Sequence, residues 1–555
     1  MFAGRPAVSR KGLRRFLDAL LLIADITDLP SFVGWIVGGG DSEASFIHDW
    51  LRQTPGYATL LQTSRLFVWQ HVDPTSLAEL YSRSLVTVVP SSFEQFGLVA
   101  VEAMACGCPV VAARVGGLTD TVIPCWTGQL CDPDDVELLA AAVAGYLRNP
   151  AFAEYDGIMA RKWVTEAFGL EPAMKSLESV LAGKVPPLPD QPSKRFKALQ
   201  AQTICTAAER VIAQPQHLIE EVSGKSQVSI RVLDKTRGRE YFIKSFRGRP
   251  SSASTYIRMP PSLLDENRVT SMLARCRALE GCDLFPPVLE ASAEEGICIF
   301  PWIERAQTSD VPGLLEEVRA RLSREGRRFL TPDAVNRWDE SFRRAMDCRS
   351  HAELDEFDLA SAELQRPLTG GQAVFTDAHP QTEMLRYRLL ADNPTLPLPS
   401  TTLRRLRDSL DLLLGWWPAM PASPELSHGS LTPDNTLRGK PDIVVTDLER
   451  LGFRAGPYDH AHWIWKTEIV GKSRSFTALV PIAQAFFPEQ TEQLLFVGWV
   501  IVQQLTDGFA KLVQGRADSW RRTERMMDEL HEILFGLSPR PIPSPSRGFP
   551  LPGWI

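Results

Sequence analysis

The clearest hydrophobic pattern in the chain lies between residues 86 and 113. Residues 86–89 are a short apolar run, which is typical of a strand buried on both faces of a parallel sheet. Apolar residues at helical spacing follow, Gly107 marks the end of that helix, and residues 109–113 form a second apolar run. Together with the turn at Gly116-Gly117, this succession predicts a doubly wound α/β sheet.

Two carboxylates bracket the predicted helix. Glu94 precedes it and Glu102 lies within it. In an open parallel sheet, ligands bind at the carboxyl ends of the strands, where free N–H groups of helix N-termini suit a phosphate. A nearby carboxylate suits sugar hydroxyls, because it accepts hydrogen bonds. Two glutamates alone are more often a solvated pair beside a core helix, but the surrounding glycines favour a ligand site.

Residues 90–120 resemble the family-4 glycosyltransferases of GT-B fold, specifically their carboxy-terminal, nucleotide-sugar-binding half. The matching residues are Pro90, Ser91, Glu94, Phe96, Gly97, Glu102, Ala103, Met104, Ala105, Gly107, Pro109, Val110, Val111, Gly116 and Gly117. Asp120 stands where that family usually has glutamate. The resemblance covers roughly residues 2 to 180 and implies a Rossmann-like α/β domain over residues 1–184.

The resemblance implies a retaining, hexosyltransferase-type reaction with a UDP- or GDP-linked sugar donor and no obligatory metal. Arg5 and Lys11 occupy the positions that contact the donor diphosphate, and two cations near a helix start can stabilise a leaving nucleotide. Without the resemblance, Arg5 and Lys11 would more often be solvated surface residues, as cations in a first helical turn usually are. The resemblance also implies that Glu94 holds the donor sugar and Glu102 the ribose. The further donor contacts implied are Gly4, Gly38, Phe96, Gly97, Leu98, Gly116 and Gly117.

A GT-B enzyme also has an amino-terminal half of about equal size, which carries the acceptor site. The sequence begins at the strand that opens the second half. Three interpretations stay open: the chain is truncated at its start, another polypeptide supplies the acceptor half, or this half only binds a nucleotide sugar. The acceptor class, whether glycan, lipid or small molecule, is also open.

Composition narrows the class of protein further. The net charge of −7 disfavours nucleic-acid binding and a polybasic membrane patch. The nine cysteines form no C-x-x-C pair, which favours reduced thiols in a cytosolic protein. Because no apolar run reaches about 18 residues, no transmembrane helix is expected. We therefore predict a cytoplasmic protein, with peripheral contact at the inner membrane face as a further option.

The rest of the chain has a different pattern. A Pro-rich linker is predicted at residues 185–194 and a Pro-rich tail at 539–555. Between them, residues 228–233, 241–246 and 297–300 have strand patterns, and long helical stretches come later. This order predicts a bilobal α+β domain at 195–538.

The stretch from His428 to Asn435 reads HGSLTPDN. It resembles the catalytic loop H-G-D-x-x-x-x-N of aminoglycoside-phosphotransferase-like kinases. Asp447 lies in a segment like that family's metal-binding I-D-x-E, and residues 456–459 resemble its next motif. The resemblance implies Lys244 on the ATP phosphates. The other residues it implies are Glu266 as the partner of that lysine, and Asn435 and Asp447 as Mg²⁺ ligands.

Ser430 stands where these kinases have their catalytic aspartate. A serine hydroxyl cannot accept a proton near neutral pH, and a general base contributes about 10²–10⁴-fold to rate. Kinase activity is therefore expected to be weak or absent unless Asp434 substitutes. Three hypotheses follow: a glycosyltransferase fused to a kinase-like domain, a small-molecule kinase with a vestigial transferase half, and a pseudokinase-type binding or scaffold protein.

Overall fold

A computed structural model describes the chain over most of its length. The described residues are 1–24, 26, 29–182, 191–223, 228–246, 266–303, 311–350, 353–354, 379–392, 398, 400–416, 422–438, 443–446, 451–513 and 517–537. Most of the predicted linker, the predicted tail and Asp447 lie outside these ranges. None of the described helices combines the length and apolar character needed to cross a bilayer.

Residues 1–182 form a parallel-sheet region. Its strands are β1 (Phe2–Ala3), β2 (Gly34–Val37), β3 (Leu66–Trp69), β4 (Thr87–Val89), β5 (Val110–Ala113) and β6 (Gly128–Cys131). They lie in the order β3-β2-β1-β4-β5-β6, and every neighbouring pair is parallel. This is the doubly wound arrangement that the apolar runs predict, with its topological switch point between β1 and β4.

Nine helices connect and cover this sheet among the described residues. They are α1 (Leu13–Ala24), α2 (Asp41–Gln53), α3 (Pro55–Gln62), α4 (Pro74–Arg83), α5 (Leu98–Ala105), α6 (Leu118–Thr121), α7 (Val136–Arg148), α8 (Pro150–Phe168) and α9 (Leu170–Leu181). The residue that caps α7 is Asp135, which accepts from the Leu138 N–H. Asp132 accepts from the Asp134 N–H instead, which makes the D-x-D sequence a tight turn.

An antiparallel-sheet region follows, over residues 191–301. It contains α10 (Pro192–Ile212), β7 (Gln216–Ser223), β8 (Val228–Asp234), β9 (Arg239–Ser245), α11 (Glu266–Ala278), β10 (Glu290–Ser292) and β11 (Ile297–Pro301). The sheet order is β10-β11-β9-β8-β7. Strands β8, β9 and β11 coincide with the predicted strands, whereas β7 and α10 have no counterpart in the sequence-based prediction.

The remaining chain is a mainly helical region. It contains α12 (Val311–Gly326), α13 (Pro332–Met346), α14 (Pro380–Leu390), α15 (Ser400–Trp416), α16 (Tyr458–Ile464), α17 (Leu479–Phe486), α18 (Gln490–Val513) and α19 (Ala517–Leu537). Its short strands are β12 (Pro424–Ser427), β13 (Thr436–Arg438), β14 (Ile443–Val445) and β15 (Gly452–Ala455), paired as β12-β15 and β13-β14.

Helix α10 joins the two sheet regions into one hydrophobic core. Its residues Phe196 and Ile204 belong to a cluster that includes Trp163 of α8 and Ile230 of β8. Helix α10 begins at Pro192, so the last three residues of the predicted linker, 192–194, are helical. Proline suits that position because it lacks the N–H that a first helical turn leaves unpaired.

Phe196 is the central side chain of this junction. Its ring is fully buried, 5.2 Å from the Trp126 ring and 5.9 Å from the Trp163 ring. We expect Phe196→Ala to lower the free energy of unfolding by about 3–5 kcal/mol, because it removes a ring that the core encloses. Denaturant unfolding followed by circular dichroism measures the loss. Phe67→Ala is the control, since Phe67 is 44% exposed. If Phe196→Ala destabilises the protein as little as the control does, Phe196 is not the central side chain of this junction.

Candidate functional site

The switch point of the parallel sheet lies between β1 and β4. The loops that leave these two strands, residues 4–12 and 90–97, are in contact through their backbones: the Ser92 N–H donates to the Arg10 carbonyl at 2.8 Å. Gly12 has a left-handed backbone, and a Cβ there would lie 2.1 Å from the Pro90 carbonyl oxygen. Glycine at position 12 therefore permits the close approach of the two loops.

This approach brings Lys11 and Glu94 together. Lys11 ends a short 3-10 turn, Ser9–Lys11, and its Nζ donates to Glu94 Oε2 at 2.7 Å. The side chains are only 22% and 16% exposed, so the pair is partly shielded from water. A cation and a carboxylate on the C-terminal edge of the sheet can bind a phosphate and a sugar hydroxyl respectively.

The Gly116-Gly117 turn packs directly under the loop that carries Glu94. The Gly117 N–H donates to the Glu94 carbonyl at 3.0 Å. A Cβ on Gly116 would lie 2.0 Å from that same carbonyl oxygen, and a Cβ on Gly117 would lie 2.2 Å from the Gln95 carbonyl oxygen. Both glycines thus act as a backbone support that fixes the position of Glu94.

Helix α5 begins at the same edge of the sheet. Gly97 is its left-handed N-cap, with no side chain that satisfies the first N–H groups, and Leu98 is its exposed first residue. Phe96, 40% exposed, packs edge to face on Phe168 at 5.4 Å between ring centroids. This helix starts in the same 90–97 loop that carries Glu94, and the first N–H groups of a helix are a setting suited to an anion.

Glu102 lies one turn further along α5, and its side chain has a partner that the sequence does not suggest. The Tyr81 hydroxyl of α4 donates to Glu102 Oε2 at 3.4 Å. Burial of the ring, and then the Glu102 charge and this hydrogen bond, raise the pKa of Tyr81 well above its usual range. The phenol therefore stays protonated and can orient the Glu102 carboxylate toward a ligand.

Gly4 and Gly38 end neighbouring strands and touch. A Cβ on Gly38 would lie 2.2 Å from the Gly4 carbonyl oxygen. Arg5, next in the chain, points to Glu43 of α2, with Arg5 Nη2 and Glu43 Oε1 3.8 Å apart and the arginine side chain 76% exposed. The structure thus places Arg5 at the predicted edge of the sheet, but it pairs with Glu43 rather than with Glu94.

The second group of predicted residues lies between β12 and β15. The backbone N–H groups of His428 and Gly429 donate to the two carboxylate oxygens of Asp459, at 2.8 and 2.9 Å. His428 Nε2 lies 2.8 Å from the Thr446 carbonyl oxygen. Asp459 therefore fixes the backbone of the 428–430 loop. It belongs to residues 456–459, the segment that resembles the next motif of the kinases named in the sequence analysis.

Ser430 and Asn435 belong to this same loop. The Asn435 amide Nδ2 donates to the Ser430 carbonyl at 2.8 Å, so its amide oxygen is left for other partners. Lys244 lies buried on β9, with Nζ 5.7 Å from the Phe246 ring centroid. Glu266 is the first residue of α11, and its side chain lies outside what the structure describes, as does all of Asp447.

A metal site therefore cannot be built from the described residues alone. They contain no cluster of three or more His, Cys, Asp or Glu side chains able to hold an ion. Of the two predicted Mg²⁺ ligands, Asn435 is placed and Asp447 is not, so the pair stays a prediction.

Sequence reasoning missed two residues of the parallel-sheet site: Glu43 and Tyr81. Glu43 carries a partial signal, because it is an acidic residue in the first turn of a helix that follows a glycine loop. Tyr81 acts through a contact with Glu102, 21 residues away on another helix, for which a single sequence gives no sign.

Comparisons with known proteins show what this chain is similar to. A family model described as "Glycosyl transferases group 1" matches residues 1–149. The glycogen synthase of Mycobacterium tuberculosis is 43% identical over 120 residues, which are 22% of this chain and 28% of that protein. D-inositol 3-phosphate glycosyltransferase 2 of Catenulispora acidiphila is 45% identical over 118 residues, 21% of this chain and 26% of that protein. The chain thus spans less than a third of the length of either relative.

Solved structures are similar over a comparable part of the chain. Sucrose-phosphate synthase from Thermosynechococcus elongatus is 35% identical with a TM-score of 0.28, over 33% of this chain and 45% of that one. Anabaena HepE in complex with UDP-glucose is 22% identical with a TM-score of 0.28, over 33% of this chain and 48% of that one. The family model and the sequence relatives thus make the first 149 residues similar to glycosyltransferases.

Proposed function

We propose that residues 1–184 bind a nucleotide-diphosphate sugar, UDP- or GDP-linked, and provide the donor site of a retaining hexosyl transfer. The observation that carries the proposal is the Lys11–Glu94 pair at the switch point, held by the Gly117 turn and next to the start of α5. Relatives that are glycosyltransferases support it, as does the complex of Anabaena HepE with UDP-glucose.

Each residue has a role in this proposal. Lys11 neutralises the diphosphate, together with Arg5 once that side chain leaves Glu43. Glu94 accepts hydrogen bonds from the donor sugar, and Glu102 from the ribose. The charge that develops on the departing nucleoside diphosphate is then stabilised by fixed cations and backbone N–H groups, which is the main electrostatic requirement of the step.

Residues 195–538 suggest a second candidate, a kinase-like domain that acts as a small-molecule kinase or, given Ser430, as a pseudokinase-type nucleotide-binding unit. The specific observation in its favour is the 428–430 loop held by Asp459, combined with a buried lysine on the third strand of a five-stranded antiparallel sheet. In this candidate Lys244 binds the ATP phosphates, Asn435 and Asp447 bind Mg²⁺, and the donor site contributes no turnover.

Calorimetric titration of the whole chain with UDP, GDP and Mg²⁺-ATP in parallel separates the two candidates. We expect UDP or GDP to bind and the Arg5→Ala/Lys11→Ala variant to lose that binding, because the proposal assigns both cations to the diphosphate, Arg5 after it leaves Glu43. Arg83→Ala/Lys175→Ala is the control, since it removes two exposed cations elsewhere in the same region.

Two results would redirect the assignment. Nucleotide binding that persists in the Arg5/Lys11 variant means that the donor site is wrongly placed. Binding of Mg²⁺-ATP alone, lost on Lys244→Ala, transfers the function to the second candidate.

A further inference from the structure

A groove of about 500 Å³ lies between the loop that carries Lys11 and helix α2. Its walls are the 6–12 loop and the first turn of α1 on one side, and the exposed face of α2 on the other. This volume lies within the roughly 300–1,000 Å³ typical of small-molecule pockets. None of the residues assigned above to the donor sugar or the ribose lines this groove.

One wall of the groove is cationic. Arg10, Arg14 and Arg15 all line it. Arg10 is exposed and forms no ion pair within the described part of the chain. Arg14 is 3.8 Å from Asp18 and has an 82% exposed side chain, so that contact is weak in water. At least two guanidinium groups are therefore available to an anion.

Arg15 fixes the floor of the groove. Its Nη1 donates to the Pro90 carbonyl at 3.2 Å, and its Nη2 lies 3.4 Å from Asp134 Oδ1. Its side chain is 26% exposed, so it is more rigid than Arg10 and Arg14. The first N–H groups of the twelve-residue helix α1 lie beside these arginines and add partial positive charge.

The opposite wall is apolar and aromatic. Phe46 and Trp50 lie one turn apart on α2, and Ile47 lies beneath them. Phe46 is 62% exposed, which is unusual for a phenylalanine in the middle of a helix. Trp50 is held in place by an edge-to-face contact with Tyr57, with ring centroids 5.3 Å apart. A ring or chain placed here would cover these side chains and remove them from water.

We propose that this groove binds an organic phosphate, an anionic phosphate group that carries an aromatic or other apolar substituent, at a site separate from the nucleotide-sugar site. The phosphate lies against Arg10 and Arg14, and the apolar substituent packs on Phe46 and Trp50. The same chemistry is offered by a soluble phosphate ester and by a lipid phosphate. The proposal does not depend on the donor assignment, because it uses none of the donor residues.

Ligand-observed NMR titrations of the whole chain with phenyl phosphate, and separately with inorganic phosphate, test the site. We expect phenyl phosphate to bind about fivefold more tightly than inorganic phosphate, because only the ester contacts the aromatic wall. Arg10→Ala/Arg14→Ala should weaken phenyl phosphate on the order of thirtyfold, since two charge-assisted contacts are lost. Phe46→Ala should remove the preference for the ester and leave inorganic phosphate unchanged.

Controls separate the groove from the donor site and from non-specific charge. Arg83→Ala/Lys175→Ala removes two cations elsewhere in the region and should leave phenyl phosphate affinity unchanged. Lys11→Ala tests the donor site. Phenyl phosphate binding that survives Arg10→Ala/Arg14→Ala but is lost in Lys11→Ala would overturn the proposal, as would equal affinity for the two probes.

A second arm identifies the source of the phosphate. Flotation with phosphatidylcholine vesicles that contain phosphatidic acid is compared with vesicles of phosphatidylcholine alone. If the phosphatidic acid vesicles capture the chain and Arg10→Ala/Arg14→Ala abolishes the capture, the ligand of the groove is a lipid phosphate. If the chain binds phenyl phosphate but is not captured, the ligand is a soluble ester. If the chain does not bind phenyl phosphate and is not captured by the vesicles, the site is rejected, whether or not UDP and GDP bind in the donor experiment.

Discussion

Lys11→Ala is expected to weaken the binding of a nucleoside diphosphate by about a hundredfold. The substitution removes the cation that we propose binds the phosphates, and hydrogen bonds to charged groups contribute about 1.5–3 kcal/mol. It also leaves the Glu94 carboxylate, 16% exposed, without its partner and facing an anionic ligand. Two effects of this size together correspond to about two factors of ten in affinity. Calorimetric titration with UDP or GDP measures the change.

A double-mutant cycle separates these two effects. Glu94→Gln alone should leave UDP affinity close to that of the wild type but lower the affinity for the complete donor, because the sugar loses its acceptor carboxylate. Lys11→Ala/Glu94→Gln should bind UDP more tightly than Lys11→Ala, since the unpaired carboxylate is gone. The difference between the two reports the repulsion from Glu94.

Lys175→Ala is the matched control for this cycle. Lys175 donates to Glu171 at 2.7 Å, the same distance as in the Lys11–Glu94 pair, but these side chains are 71% and 79% exposed. An exposed pair contributes little, so the control should change neither stability nor affinity measurably. If Lys11→Ala changes nucleotide affinity as little as this control does, the Lys11–Glu94 pair does not bind the phosphates.

The sequence predicts the parallel sheet well because its evidence is local. Strands β2 to β5 are short, mostly apolar runs, and the Gly116-Gly117 turn marks a definite backbone change within a few residues. The order of the strands then follows from the few topologies open to such units. The edge of the sheet where a ligand binds is also predictable, since it is a general property of this architecture.

Contacts between distant segments account for what the sequence does not predict. Lys11 and Glu94 are 83 residues apart, and only the close packing of Gly12 on Pro90 brings their side chains together. Arg5 lies on the loop after β1, but the partner it contacts, Glu43, is fixed by the position of α2 relative to β1. Helix α10 was missed because its apolar positions serve two different surfaces, which blurs the single amphipathic stripe on which helix prediction depends.

Aromatic contacts connect the parallel sheet and the antiparallel sheet at residues 90–97, the loop that carries the proposed donor residue Glu94 and is named the donor loop. Phe96 contacts Phe168, Phe168 contacts Trp163 at 5.7 Å, and Trp163 contacts Phe196 of α10. Helix α10 in turn packs on strands of the antiparallel sheet within the same hydrophobic cluster. The donor loop is therefore supported from beneath by Gly117 and from the side by an aromatic row that reaches the second sheet.

Gly117→Ala is the substitution expected to disturb the donor loop most directly. The backbone of Gly117 has an ordinary helical φ of −63°, so alanine brings no torsional strain. Its Cβ would instead lie 2.2 Å from the Gln95 carbonyl oxygen and 2.5 Å from the Phe96 Cα, and neither backbone atom can move without shifting the loop. We expect a loss of about 1–3 kcal/mol in the free energy of unfolding, as for other overpacked sites.

The same shift should lower UDP or GDP affinity by at least about tenfold, because Glu94 and the start of α5 move with the loop. Gly157→Ala is the matched control: its Cβ would lie 2.0 Å from the Gly107 carbonyl oxygen, on α8 and outside the donor loop. It should destabilise the protein to a similar extent but leave the affinity of the folded chain within about twofold, since Glu94 is not displaced. Equal loss of affinity in both variants would mean that a general loss of stability, and not the position of Glu94, governs nucleotide binding.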